Sequence, residues 1–406
     1  MNNSKVKIFP KNIYIKGLGI VADKVGIKSV HKEDVAIIVF KNISEFATML
    51  TKSQTCAANI KWLKKIKRFG RAKILFVNSG NANAYTGKEG DANLKKIIKL
   101  LASRYSCQEK QIIISSTGVI GEQLPINKIL NYINTHFIAE KKQDWDLFAR
   151  SIRTTDTFNK GSYKECYIGK KKIKLIGIAK GSGMIFPNMA TMLGFIFTDA
   201  DLNKAILNQL LKKAVEKSFN RITVDGDMST NDMVCFFSTR AIDCGSFKSA
   251  EDKKLKEFLQ CLQELSLDLA KKIVVDGEGA KKLIEINVKG AMSDIDAKNI
   301  AFAVANSALV KTAIAGEDAN WGRIIMAIGN TSAKIDQELI SLSIGNIPII
   351  SSGELIKDFN EKRITKHLKK NQIFINIDLL LGSGESKVWT CDLTKEYISI
   401  NADYRS

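Results

Sequence analysis

The chain has 406 residues, 45% of them hydrophobic and only 4 of them proline, which is enough apolar material for one large core or two and excludes a disordered chain. The net charge of +20 raises the question of nucleic acid, but the lysines of KKIIKLL, LKKAVEKS and DKKLKEF are mixed with acids and apolar residues at helical spacing. They read as solvated helix faces with no nucleic-acid partner, though a field of that sign steers anionic small substrates. The 7 cysteines contain no CxxC pair and the 3 histidines lie without a partner, which excludes a disulfide framework, a structural zinc site and Ser-His-Asp chemistry.

The first stretch, MNNSKVKIFPKNIYIKG, has no signal-peptide core, and no apolar run in the chain reaches the roughly 18 residues of a membrane span. The expectation is a cytoplasmic protein with no membrane partner. Val35–Phe40 and Lys73–Val77 read as short buried strands, rich in β-branched residues. The second runs into Asn78–Ala84, NSGNANA, whose Gly, Asn and Ser make a tight turn with exposed amides: the floor of a ligand site, or an ordinary strand-to-helix turn. Leu94, Ile97, Ile98 and Leu101 then fall on one helical stripe. Gln111–Gly121, QIIISSTGVIG, is again a buried strand followed by a small-residue turn. There Thr117 and Gly118 can aim a hydroxyl and backbone amides into a cavity, as the oxyanion of an acyl-transfer intermediate requires.

In Ser151–Lys160, SIRTTDTFNK, the triplet Thr154-Thr155-Asp156 reads equally as a site or as a turn or helix cap. A strand over Ile173–Ala179 delivers Lys180, which can bind a carboxylate, support an oxyanion, or face solvent. Lys180–Ala200, KGSGMIFPNMATMLGFIFTDA, joins a glycine-rich entry to an apolar run broken by Pro187 and Asn188, so a new strand is expected near Thr191. A threonine hydroxyl is a poor nucleophile without a base. Cutting the chain just before it supplies one, because the freed α-amine titrates near pH ~8. Ala190 is small and leaves the carbonyl open to attack in a self-cleaving acyl shift. The bland alternative is a buried strand threonine bonded to a backbone carbonyl.

Leu202–Phe219 reads as a helix. Arg221–Asp232, RITVDGDMSTND, places Asp225, Asp227 and Asp232 at short spacing, but not at the spacing of an EF-hand loop; the segment reads as a strand and turn that wall a site, with no metal. Glu251–Val275 is a long amphipathic helix ending at DGEGA, where glycines on both sides of Glu278 let its carboxylate project toward a ligand. Leu283–Val288 is a strand, Asp294–Val310 a small-residue helix, Thr312–Arg323 a glycine-containing turn, Ile373–Leu381 a strand, GSGES a turn and VWTCDLT a second strand region. Tyr397–Ser406 reads as a docked C-terminal strand.

KGSGM followed by PNMATML closely resembles the cleavage and nucleophile segment of the ornithine acetyltransferases of arginine biosynthesis, also called bifunctional glutamate N-acetyltransferases. NSGNANA, STGVIG, TTD, TVDGDxSTND, DGEGA and TAIAGEDANWGR fall in that family's order over nearly the whole length. Phe186 stands where a smaller residue is usual, Asn59 where proline is common, and Ser406 where threonine is common. The resemblance implies an α/β fold: a layered sandwich with sheets between helices, plus smaller α/β subdomains in the C-terminal half. It implies cleavage between Ala190 and Thr191 into chains 1–190 and 191–406, assembled as a heterotetramer of two of each. By resemblance Thr191 is the nucleophile, Thr117 and Gly118 form the oxyanion hole, and Thr155, Lys180, Thr191, Glu278, Asn401 and Ser406 contact substrate.

The activity so implied is acetyl transfer from N-acetylornithine to glutamate through an acetyl-Thr191 ester, a ping-pong scheme that needs no metal or cofactor. Acetyl-CoA as a second donor stays open. The alternative is a self-processing amidase or aminopeptidase of related architecture that passes its acyl group to water.

Overall fold

The computed structural model describes residues 9–10, 13–28, 31–136, 143–186, 192–357 and 360–402. The chain divides into two compact units, one formed by residues 1–220 and 228–273 and the other by 221–227 and 274–406. Residues 180–186 and 192–200 therefore lie inside the first unit and not at a unit boundary.

The first unit contains strands β1 (Leu18–Asp23), β2 (Val35–Leu50), β3 (Arg71–Asn81), β4 (Ile112–Val119), β5 (Lys160–Ile168), β6 (Lys171–Lys180), β7 (Leu193–Ala200) and β8 (Met233–Ile242). Its helices are α1 (Ala58–Ile66), α2 (Gly87–Arg104), α3 (Ile126–Thr135), α4 (Trp145–Ser151), α5 (Lys204–Glu216) and α6 (Lys256–Val275). The ladder runs β4-β3-β2-β8-β7-β6-β5, with β1 paired to β2. All pairings are antiparallel except β3 with β4 and β7 with β8.

The 16-residue β2 carries a register shift between Val39 and Ser44; its first half pairs with β1 and β3, its second with β8. A bulge of that kind bends a strand. Alternate residues then sort into two cores, as the pleat requires. Ala36, Ile38 and Phe40 of the first half share a core with Leu75, Val77, Phe195, Phe197 and Phe237, drawn from both ends of the ladder. Phe197 and Phe237 stack there at 5.3 Å. Val35, Ile37 and Val39 face outward onto Leu94, Ile97, Ile98 and Leu101 of α2 and Ile129 and Ile133 of α3. On the other half α6 covers the outer face: Phe258 lies over Phe236 at 6.3 Å. Leu265 and Leu269 sit where a Cβ on Gly177 would meet them at 2.5 and 2.6 Å. The result is the sandwich of sheet layers between helices that the resemblance implied.

The second unit contains β9 (Leu283–Ala291), β10 (Ser341–Ile344), β11 (Ile347–Ser351), β12 (Glu354–Leu355), β13 (Gln372–Asp378) and β14 (Gly384–Cys391) in the order β12-β11-β10-β13-β9-β14. Its helices are α7 (Asp294–Asn306), α8 (Ala308–Ala315), α9 (Gly322–Gly329), α10 (Glu361–Leu368) and α11 (Lys395–Ala402). Ile284, Ile286 and Val288 of β9 and Ile373, Ile375 and Ile377 of β13 supply its core. Segment 221–227 belongs here because the fully enclosed Lys311 Nζ donates to Val224 O at 2.7 Å, Thr390 Oγ1 at 2.9 Å and Cys391 O at 2.5 Å.

Three sequence readings need correction. The expected single helix over 294–310 breaks at Ser307, whose backbone is extended and whose hydroxyl accepts from Val310 N to start α8. Residues 221–232 hold no strand beyond a bridge from Ile222 to Trp389; polar side chains there bond locally instead of feeding a ladder. Over its described residues, 397–402, the tail is part of helix α11, with no buried residue, and not a docked strand. A few alternating residues fit either period, and a helix satisfies its own backbone where a strand needs a partner.

Candidate active site

In the first unit the parallel pairing of β3 and β4 sets Ser79 opposite Thr117 and Gly80 opposite Gly118. Gly118 has φ +133°, and a Cβ on it would stand 2.2 Å from the carbonyl carbon of Gly80. Only glycine permits both the conformation and the approach. The NSGNANA turn is held by its own amides: Ser116 Oγ donates to Asn78 Oδ1 at 2.7 Å, Asn78 Nδ2 to Asn81 O at 2.9 Å, and Asn83 N to Asn81 Oδ1 at 2.8 Å. From the segment before β8, Asn231 Nδ2 donates to Ala82 O at 2.7 Å and Ser116 O at 2.8 Å. Asn231 thus ties the turn to the strand that carries Thr117.

Lys180 ends β6, at the far side of the ladder from β4, yet its buried Nζ donates to Thr117 Oγ1 at 3.2 Å. An oxygen that accepts from an ammonium keeps its own O–H to donate, and the cation polarises it. This pair is a ready donor for developing negative charge.

Asp156 is the anchor behind it. Its Oδ1 accepts from Gly181 N at 2.7 Å and from Lys160 Nζ at 2.5 Å, and its Oδ2 from Thr154 N at 3.0 Å. The side chains of Asp156 and Lys160 are both fully buried. Burial pushes the carboxyl up, but the Lys160 and Lys180 ammoniums and the Gly181 amide outweigh it and hold Asp156 well below the usual carboxylate range. The loop so fixed presents Thr155, whose Oγ1 shares a 2.6 Å hydrogen bond with Ser182 Oγ.

Asp232 behaves oppositely. Its backbone carbonyl accepts from Thr51 N at 2.9 Å, whereas neither carboxyl oxygen makes a hydrogen bond of ordinary geometry among the described residues. Burial pushes this carboxyl well above its ordinary range, against the pull of the Lys180 ammonium and of the nearby Met192 and Ser229 amides. It lies beside Met192, at the start of β7.

In the second unit Glu278 Oε2 accepts from Asn401 Nδ2 at 3.0 Å. α11 can pack there because a Cβ on Gly279 would meet Tyr397 N at 2.6 Å; Thr394 Oγ1 also donates to Gly279 O at 2.7 Å. Tyr397 OH donates to Asp225 Oδ2 at 3.5 Å, and burial followed by the Asp225 and Glu278 charges holds its hydroxyl above the usual phenol range.

The structure thus joins Thr117, Gly118 and Lys180 in one place, sets Thr155 on the Asp156 loop, and pairs Glu278 with Asn401. Pro187, Asn188, Ala190, Thr191 and Ser406 lie outside the described residues. Among the described residues no cluster of three or more His, Cys, Asp or Glu side chains is placed to hold a metal, and no helix is long and apolar enough to cross a membrane. Sequence reading missed the bridging by Asn231 and, having set metal ligation aside, gave Asp232 no part beyond the wall of a site; adjacency in STND was the available signal.

Residues 20–406 match the model of the ArgJ family. The arginine biosynthesis bifunctional protein ArgJ of Zymomonas mobilis is 43% identical over 94% of this chain and 93% of that one. The protein of the same name from Bradyrhizobium diazoefficiens is 41% identical over 100% of both. A crystal structure of the arginine biosynthesis bifunctional protein ArgJ from Bacillus halodurans is 42% identical, covering 51% of this chain and 96% of that one, with a TM-score of 0.48. Whole-length identity of this order, on top of a family match across nearly the entire chain, places the chain in the ArgJ family of arginine-biosynthetic acyltransferases.

Proposed function

We propose that the protein moves an acetyl group from N-acetylornithine to glutamate through a covalent ester on Thr191. The observation that carries this reading is the Lys180–Thr117 hydrogen bond beside Gly118, a donor set suited to an acyl-transfer oxyanion. In the first half-reaction Thr191 Oγ attacks the acetyl carbonyl while the Thr191 α-amine takes its proton. The oxyanion accepts hydrogen bonds from Thr117 Oγ–H and the Gly118 amide. The C–N bond then breaks, the α-ammonium returns the proton to the departing amine, and ornithine leaves an acetyl ester. In the second, the glutamate amine attacks that ester, the C–O bond breaks, and Thr191 Oγ regains its proton as N-acetylglutamate departs.

The α-amine arises when Thr191 Oγ attacks the Ala190 carbonyl and the resulting ester is hydrolysed, giving chains 1–190 and 191–406, two of each to the assembly. Donor and acceptor both carry an α-carboxylate, so the same contacts serve both in turn. Lys180, Thr155, Glu278, Asn401 and Ser406 are the proposed contacts, with the Glu278 carboxylate meeting the basic side chain of ornithine. The reaction runs in the cytoplasm, and acetyl-CoA is the further donor to try.

An intact-mass spectrum under denaturing conditions, before and after brief exposure to N-acetylornithine, tests the proposal. Two chains split at Ala190/Thr191, with an acetyl increment on the chain that begins at Thr191, support it. A Thr191→Ala protein that still transfers acetyl refutes it.

A further inference from the structure

One cation near this site has no part in the scheme above. Lys28 lies on a loop before β2 that is fastened by the fully buried Asp34: Asp34 Oδ1 accepts from Val25 N at 2.7 Å, and Oδ2 from Ile27 N at 2.6 Å and Lys28 N at 3.1 Å. Asp34 also joins the loop to the NSG turn, since its backbone carbonyl accepts from Ser79 N at 2.8 Å. Lys128 Nζ donates to Gly26 O at 2.8 Å from the other side.

The loop lays the stem of Lys28 across Gly80: a Cβ on Gly80 would stand 2.6 Å from Lys28 Cγ and 3.3 Å from its backbone nitrogen. Gly80 is the cross-strand neighbour of Gly118. A half-buried lysine therefore borders the turn that Thr117 and Lys180 share. Lys28 Nζ donates to Glu33 O at 3.1 Å, and an ammonium has three donors. Burial pushes Lys28 down to about 8, with Asp34 and Asp156 drawing it up and Lys180 and Lys32 pressing it further down. A solvated surface lysine would show no such penalty. Cations gathered beside one turn favour an anion there, and a carboxylate relieves their repulsion.

We infer that Lys28 is a second ammonium of the acyl-transfer site, which joins Lys180 in holding the α-carboxylate that donor and acceptor have in common. The inference rests on the proposed function. It makes Lys28 a binding residue for both half-reactions, whereas Glu278 serves only the basic substrate.

The test is equilibrium binding of ornithine and of 1,4-diaminobutane, the same molecule without its carboxylate, to full-length wild type, Lys28→Met and Lys28→Arg, alongside the acetyl-transfer assay. Loss of a charge-assisted contact raises the ornithine Kd of Lys28→Met by about tenfold or more, and Lys28→Arg restores most of it. The diaminobutane Kd does not rise in step. Between pH 7 and pH 9 the wild-type ornithine Kd rises about tenfold relative to that of Lys28→Arg, because a lysine titrating at about 8 loses its charge over that range and an arginine does not. Equal ornithine affinity in wild type and Lys28→Met overturns the inference, as does an equal loss for both ligands or a pH dependence that Lys28→Arg shares. Wild type that transfers acetyl while Lys28→Met binds unchanged sinks this inference alone; wild type that neither binds ornithine nor transfers acetyl sinks the proposed function with it.

Discussion

Lys180 Nζ donates to Thr117 Oγ1 at 3.2 Å although the two residues are 63 positions apart and sit on β6 and β4, with β7, β8, β2 and β3 between them in the ladder order. The bend in β2 folds one end of the sheet over the other, and the hydrogen bond records that folding. Its chemical effect is to leave the Thr117 hydroxyl hydrogen free to donate. Thr117→Val keeps the branched shape and deletes the donor, so kcat for acetyl transfer should fall by about 10²–10³, with Thr117→Ser retaining most activity. A Thr117→Val loss below about threefold in steady-state kinetics would remove the hydroxyl from the mechanism.

Asp156 and Lys160 form a fully buried pair at 2.5 Å. Asp156→Asn leaves the Lys160 ammonium without its counter-charge and should cost about 3–5 kcal/mol in urea unfolding at pH 7. The sign of the pH dependence follows from the depressed carboxyl: its stabilisation is complete above the unfolded value of about 4 and fades as pH falls toward the lower folded value. The gap between wild type and Asp156→Asn should thus stay level from pH 5 to 8 and narrow below pH 4. A gap that widens in acid contradicts the assignment.

Asp232 predicts the reverse slope. Its folded carboxyl holds its proton above the ordinary range, so the native state binds more protons than the unfolded chain from about pH 4 upward, and wild-type stability falls as pH rises through that window. Asp232→Asn keeps the shape without the ionisation. Its stability advantage should grow with pH above about 4, approaching ~1.4 kcal/mol per pH unit at most. Urea titrations at several pH values decide the matter; an advantage that shrinks with rising pH would mean the native carboxyl is ionised and paired.

The second residue of α1, Asn59, is fully buried: Oδ1 accepts from Asn231 Nδ2 at 3.2 Å, while its own Nδ2 finds no partner among the described residues. Its backbone amide lies in the first helical turn, where an N–H has no intrahelical acceptor. Asn59→Pro trades one long hydrogen bond for the removal of a buried unsatisfied amide and a stiffer unfolded chain. The expected change in thermal unfolding is within about 1 kcal/mol, and a loss above about 3 kcal/mol would show that Asn59 is needed to seat Asn231.

The elements were legible because their signals are local. The stripe Leu94, Ile97, Ile98, Leu101 is buried as expected in α2, and Val35–Phe40 and Lys73–Val77 lie within β2 and β3. Motif order along the chain carried the family, because it needs no geometry. The tail defeated the reading where a short alternation fits two periods, and the break at Ser307 because a serine inside an alanine-rich run looks like helix until its hydroxyl caps the next one.

By itself, then, the sequence determined part of the strands, several helix faces, the family and the glycine turn at Gly118, all of which depend on neighbouring residues or on residue type. Which charges are buried, and which meet, was left to the tertiary structure. Lys28 and Lys160 look like any of the chain's solvated lysines on paper, and Asp156 and Asp232 like any two loop acids. Their opposite titration follows from surroundings assembled across long separations: two ammoniums beside one carboxyl, and burial without an ordinary hydrogen bond around the other. Burial and distance set the electrostatics of a group, and no local pattern of residues encodes either.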